Sequence, residues 1–219
     1  MKRKIVILSD SLALARVTPE SLLLEESWAY RLREHVDAEW VQFSMGGATS
    51  SDLLAQLEYW LHSARGADWL IIQAGIVDWA PRAFSRSEVI QQKALALFTR
   101  LFPRLGREIF ERLRRWRQIS YVDSQRFRQN VKAFRQQAEN QEARLLWIPV
   151  LGSSSYENIL PGITEKIAQA NGILREELGS ALMKIEFADE LFMSDGHHLR
   201  ASGHEYLAQQ IFEHIKERL

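Results

Sequence analysis

The 219-residue chain contains no cysteine, which excludes disulfides, thiolate metal sites and a cysteine nucleophile. A net charge is also missing. The 28 basic residues balance 28 acidic ones, so no overall field draws the protein to nucleic acid or to an anionic membrane. No apolar run approaches the ~20 residues that span a bilayer. The start MKRKIVILSDSLALA imitates a secretion signal, but Asp10 interrupts the apolar stretch of ~7–15 residues that such a signal needs. A cytoplasmic protein with no membrane insertion and no nucleic-acid partner is the expectation. Internal repeats and low-complexity segments are absent too. What is present, 46% hydrophobic and 26% charged residues, reads as one globular domain over 1–219 with a real core.

Five short apolar runs have the character of strands: KIVIL (4–8), AEWVQF (38–43), WLIIQ (69–73), LLWIPV (145–150) and KIEFA (184–188). Three are almost continuously apolar, as parallel strands covered on both faces require. Segments 21–36, 50–64, 124–140, 162–179 and 203–219 repeat apolar residues at helical spacing. In the second, Ser50 or Ser51 is placed to cap the helix, with Asp52 near its positive end. Alternating strands and helices predict a three-layer α/β/α sandwich, flavodoxin-like in layout, around a mostly parallel five-stranded sheet. The connection 79–144 is exceptional in length and forms a helical, basic excursion after the third strand. Within 79–117 ten Arg or Lys face only three acids. The plain reading is a solvated amphipathic insertion, and we favour it; the sharper one is a basic cap that attracts anionic substrate groups.

Ligands bind such sheets at the carboxyl ends of the strands, and four loops there carry chemistry-bearing residues. They are SDSL (9–12), SMGGATS (44–50), AGIVDWAPR (74–82) and SDGHHLRASGH (194–204). A serine nucleophile needs a base, and the base needs a carboxylate to hold its tautomer. Ser11, His198 and Asp195 supply that set, with the last two delivered by one Asp-x-x-His loop. Gly46 and Gly47 leave room for a backbone N–H to approach an oxyanion. Asp10 beside Ser11 is a turn-holding residue, and Asp78 is expected to tie the third loop by hydrogen bonds. His197 is expected to face solvent or pack within its loop, and His204 to stabilise the start of the last helix by local hydrogen bonding. Trp79 stands at the mouth of the third loop, where it could stack on a sugar or belong to the core. No metal site is expected from Asp195, His197, His198 and His204, since no further His or Glu cluster supports one. No glycine-rich phosphate loop follows the first strand, so no cofactor is expected.

These four blocks, in this order, resemble those of the SGNH or GDSL hydrolases, and the resemblance spans residues 5–208. It puts Ser11 at the nucleophile position and Gly47 at the oxyanion glycine. GIVD, from Gly75 to Asp78, stands in the third block, and Asp195 and His198 stand as acid and base. Ser9 replaces the glycine of the first block. Val77 replaces the asparagine of the third and offers an oxyanion no donor, for which Arg82 is the substitute on hand. GIVDWAPR is similar to a variant third block of SGNH-like proteins from bacterial surface-polysaccharide clusters. The resemblance implies an esterase that removes an acyl group, acetyl above all, from a small-molecule or glycan substrate through an acyl-serine. On that substrate side stand Gly47, Val77, Asp78, Trp79 and Arg82, with Asp10 and Gly75 as structural neighbours. Two alternatives stay open: an O-acyltransferase acting on a glycan, and a carbohydrate-binding protein whose activity has weakened.

Overall fold

The structure, a computed structural model, describes residues 2–218, side chains 61 and 218 excepted. In chain order it comprises β1 (Arg3–Ser9), α1 (Trp28–His35), β2 (Ala38–Ser44), α2 (Ser50–Tyr59), α3 (Leu61–Ala64), β3 (Trp69–Gln73) and α4 (Ile76–Trp79). Then follow α5 (Val89–Leu101), α6 (Pro103–Arg117), α7 (Ser124–Asn140), β4 (Arg144–Ile148), α8 (Tyr156–Ile159), α9 (Ile163–Leu178) and α10 (Ala201–Ile215).

Residues Ile5 to Leu8 of β1 are completely buried. Successive strand side chains point to opposite faces. Ile5 and Ile7 therefore join Trp28, Leu32, Leu207 and Ile211 of α1 and α10 in one apolar cluster. Val6 and Leu8 join Leu53 of α2, Phe127 and Phe134 of α7, and Leu174 of α9 in the other. Trp69 and Ile71 of β3 repeat the first allegiance, and Leu70 and Ile72 the second. A strand with no polar position can be satisfied only between two helical layers, and that is the origin of the sandwich.

The sheet is parallel throughout, in the order β2-β1-β3-β4. Its register sets Ser9 opposite both Ser44 and Gln73, so the loops after β1, β2 and β3 leave the sheet side by side. The fifth strand expected at 184–188 does not form. Its approach to β4 ends at a single parallel bridge, Trp147 with Leu182, where the Met183 N–H donates to the Trp147 carbonyl at 2.9 Å. The next bond of a parallel ladder would come from the amide of residue 149, a proline, which has none.

Two further expectations change. Thr49, not Ser50 or Ser51, caps α2, in a box with Asp52 whose carboxylate accepts the Thr49 N–H at 2.8 Å. The excursion is also shorter than 79–144, because α7 returns to cover the sheet and only α5 and α6 stand away from it as a hairpin. Among the described residues no helix is long and apolar enough to cross a membrane.

Candidate active site

The turn after β1 is built by Asp10. Its N–H donates to the Gln73 carbonyl at 3.3 Å, and its Oδ1 accepts the Leu12 N–H at 2.9 Å, capping the 3-10 turn Ser11–Ala13. Asp10 is wholly buried, and that burial raises its carboxyl to about 7 against the lowering effect of the Leu12 amide. Ser11 is thereby fixed at the first position of the turn. Arg16 braces it from beyond, donating from Nη2 to the Ser11 carbonyl at 2.9 Å.

The other half of the site comes from the far end of the chain. Met193 N–H donates to the His198 carbonyl at 2.7 Å, and Phe192 bridges Leu199, so the segment between them is a closed loop. Ser153 N–H, from the loop after β4, donates to the Gly196 carbonyl at 2.7 Å and ties that loop to the sheet. Inside it Asp195 Oδ1 accepts the N–H groups of His197 and His198 at 3.2 and 3.0 Å. Asp195 Oδ2 holds His198 Nδ1 at 2.5 Å, and His198 Nε2 lies 3.2 Å from Ser11 Oγ. Serine, imidazole and carboxylate thus form one hydrogen-bonded row, although Ser11 and His198 are 187 positions apart. Burial acts to raise the Asp195 carboxyl, but the His198 hydrogen bond and the nearby histidines outweigh it and hold it well below the ordinary carboxylate range. A permanently ionised Asp195 keeps the proton on Nδ1 and leaves Nε2 free to accept one.

The second and third loops complete the surroundings. Gly47 adopts φ +72°, a backbone region that disfavours side chains, and is exposed beside the site. Neither its N–H nor that of Ser11 has a hydrogen-bond partner among the described residues. Gly75 has φ +128°, and a Cβ there would stand 2.5 Å from Val150 Cγ2, so the third loop can start only with glycine. Asp78, placed on the substrate side by the sequence, is instead buried and accepts the Ser50 N–H at 3.0 Å and the Ser50 hydroxyl at 2.5 Å. Its carbonyl takes the N–H of Tyr121 at 2.9 Å, so it ties α2, the third loop and the segment before α7 together, as its expected tying role requires. Burial raises its carboxyl to about 7 against the Ser50 bonds. Val77 is 8% exposed, and an aliphatic side chain donates no hydrogen bond. Trp79 is 3% exposed and meets Phe127 edge-on at 5.6 Å; it belongs to the core and presents no stacking face at the mouth. Arg82 lies over the Tyr121 ring at 4.8 Å, with its Nε buried and without an acceptor among the described residues.

His197 packs out of solvent but against another segment, its ring stacked on Tyr156 of α8 at 5.0 Å, and burial lowers it to about 4. His204 does something the local sequence could not announce. Its Nδ1 accepts the Trp28 N–H at 3.1 Å across 176 positions, joining α10 to α1, and burial holds it neutral, lowered to about 3. Asp195, His197 and His198 bring ligand-type atoms within 4.8 Å of one another, but both ring nitrogens of His198 are already engaged by Asp195 and Ser11. Arg16 and Tyr156 carried no sequence signal. Arg16 is ordinary in a polar stretch, and Tyr156 closes a serine run that reads as a plain loop.

No family model and no curated protein matches the chain. Solved structures do. A lipase/acylhydrolase from Enterococcus faecalis superposes with TM-score 0.67 at 16% identity over 99% of this chain and 97% of its own. An acetyl xylan esterase gives 0.65 at 14% identity, over 97% and 99%. A GDSL-like lipase from Bacteroides thetaiotaomicron gives 0.60 at 12%, over 99% and 89%. The fold is therefore that of the GDSL, or SGNH, hydrolases, shared along the whole chain.

Proposed function

We propose that the protein is a serine-dependent carboxylic ester hydrolase that removes a short acyl group, acetyl in the first place, from a carbohydrate. The observation that carries this reading is the 3.2 Å approach of Ser11 Oγ to His198 Nε2, backed by Asp195. His198 takes the Ser11 proton as Oγ attacks the ester carbonyl, and Asp195 stabilises the imidazolium that results. The unpartnered N–H groups of Ser11 and Gly47 receive the oxyanion. Collapse expels the alcohol, which takes its proton from His198. Water, deprotonated by His198, then releases the acid from Ser11. If a sugar hydroxyl replaces water in that last step, the same machinery is an O-acyltransferase.

Val77 sets the expected rate. Loss of one oxyanion donor costs ~10²–10³ in turnover, so hydrolysis should be slow relative to a site that carries the asparagine. The same residue favours the alternative of a carbohydrate-binding protein with weakened chemistry. A fluorophosphonate probe and 4-nitrophenyl acetate separate the two. The enzyme labels at Ser11 and releases nitrophenol, and Ser11→Ala does neither, losing on the order of 10⁴-fold or more. Equal rates for the two proteins would end the hydrolase reading.

A further inference from the structure

Where the α5–α6 hairpin meets the segments around residues 82–84 and 121, it encloses a cavity of about 560 Å3, a volume typical of small-molecule sites. Phe84, Leu95 and Phe110 give it apolar walls, and Arg82, Arg107 and Tyr121 give it polar ones; no carboxylate lines it. Two chains of contacts lead from its lining toward the candidate active site. Arg82 and Arg86 both lie over the Tyr121 ring, at 4.8 and 5.0 Å, and Arg86 donates to the Gly47 carbonyl at 3.2 Å. The charge of Arg82 also reaches the Tyr156 hydroxyl, whose ring stacks on His197.

The arginines around this space are not equivalent. Arg86 is paired with Asp52 at 2.8 Å and Arg117 with Glu88 at 2.9 Å. Arg82, Arg107 and Arg114 have no carboxylate partner among the described residues. Both Arg82 and Arg114 keep a buried Nε without an acceptor, and both act on Tyr156 from the hairpin side. Arg82 and Arg107 line the cavity without a carboxylate partner, and the natural complement of such a guanidinium is a pair of anionic oxygens.

We propose that this cavity binds an anionic group of the substrate, a carboxylate or phosphate carried on the sugar whose ester lies at Ser11. Arg82 is its principal ligand and Arg107 the second charge. The apolar walls take the body of the ring. This rests on the ester-hydrolase reading and narrows it to acyl esters of acidic sugars. It also gives Arg82 a different task from the oxyanion donor expected from sequence.

The test compares mono-acetylated methyl glucoside, methyl glucuronide and methyl glucoside 6-phosphate as substrates. Wild type should prefer one or both acidic sugars by about tenfold or more in kcat/KM, through KM, and added salt should shrink the preference. Preference for the glucuronide alone marks a carboxylate site, and for the 6-phosphate alone a phosphate site. Arg82→Gln should bring the acidic-to-neutral ratio close to one, Arg107→Gln should reduce it in part, and Arg82→Lys should restore part of it. Inhibition of neutral-acetate hydrolysis by free glucuronate but not by glucose checks the same claim on wild type, should a variant misfold. Binding of the acetylated sugars to Ser11→Ala, measured by calorimetry, separates the two readings. If no acetate is cleaved yet the acidic sugars still bind selectively and Arg82→Gln removes that selectivity, the ester reading falls and the anion site stands. If acetates are cleaved with Ser11 required but charge on the sugar has no effect on rate, inhibition or binding, the anion site is overturned.

Discussion

Helices α6 and α7 are neighbours in sequence, similar in length and both amphipathic, yet they end in opposite circumstances. α7 buries Phe127, Asn130, Val131, Phe134 and Ala138 against the sheet and α9. α6 buries only Gly106, and its partner α5 buries nothing; Ile90 is 82% and Trp116 80% exposed. Amphipathic spacing therefore specifies a helix but not the surface that its apolar face will find. α7 leads into a strand that had to return to the sheet, because β4 lies beside β3 and a parallel crossover needs a covering helix. α5 and α6 are free of that obligation. They pack on each other, where a Cβ on Gly106 would stand 2.5 Å from Thr99 Cα.

The sharpest way to break this contrast is to truncate on each side of it. Phe134→Ala removes a ring that meets Trp147 edge-on at 5.4 Å in the sealed core, and should cost about 3–5 kcal/mol in a denaturant titration. Ile90→Ala should cost less than about 0.5 kcal/mol. Similar costs would mean that the hairpin is as integral as the sandwich.

A second comparison is electrostatic, between the turn that carries Ser11 and the charged surface of the hairpin. Asp10 has a carboxyl raised by burial to about 7, well above its value in an unfolded chain. The folded state then holds the proton more tightly, so the stability that this group contributes is full below about pH 4 and is lost as pH rises through about 7. Asp10→Asn keeps an acceptor for Leu12 and removes the titration. The unfolding free energy of wild type minus that of Asp10→Asn, from denaturant titrations, should fall between pH 4 and 7 and level off above, a change of about 1–4 kcal/mol. A flat difference would mean that Asp10 is not buried as described.

Gly106→Ala should crowd Thr99 at a cost of about 1–3 kcal/mol. That loss should appear as faster hydrogen exchange and proteolysis within 89–117, with the exchange of α7 and β1 unchanged. Equally accelerated exchange in α7 and β1 would show the two regions to be one cooperative unit.

The sandwich was legible because its cause is local. Residues 5–8 of β1 and 69–72 of β3 are buried and carry no polar residue, and such strands have few stable surroundings. The first, second and last loops were legible because serine, glycine, aspartate and histidine stand where strands end. The fifth strand was misread because KIEFA has the composition of an edge strand, while the obstacle, Pro149, sits on its intended neighbour. Trp79 was placed at the mouth because its loop is there, but side-chain direction depends on Phe127, about fifty residues later. His204 and Asp78 were taken as local stabilisers, and each turned out to join segments distant in the chain.

By itself the sequence determined that this protein is a parallel α/β sandwich with a hydroxyl, an imidazole and a carboxylate assigned to strand ends, since burial and periodicity act over a few residues. The tertiary structure alone decided that Ser11 and His198 meet, that Asp10 and Asp78 are sealed from water, and that Arg82 keeps a buried donor unpartnered beside a cavity. Those outcomes depend on which surfaces exclude solvent when distant segments pack, and no short stretch of chain contains that information.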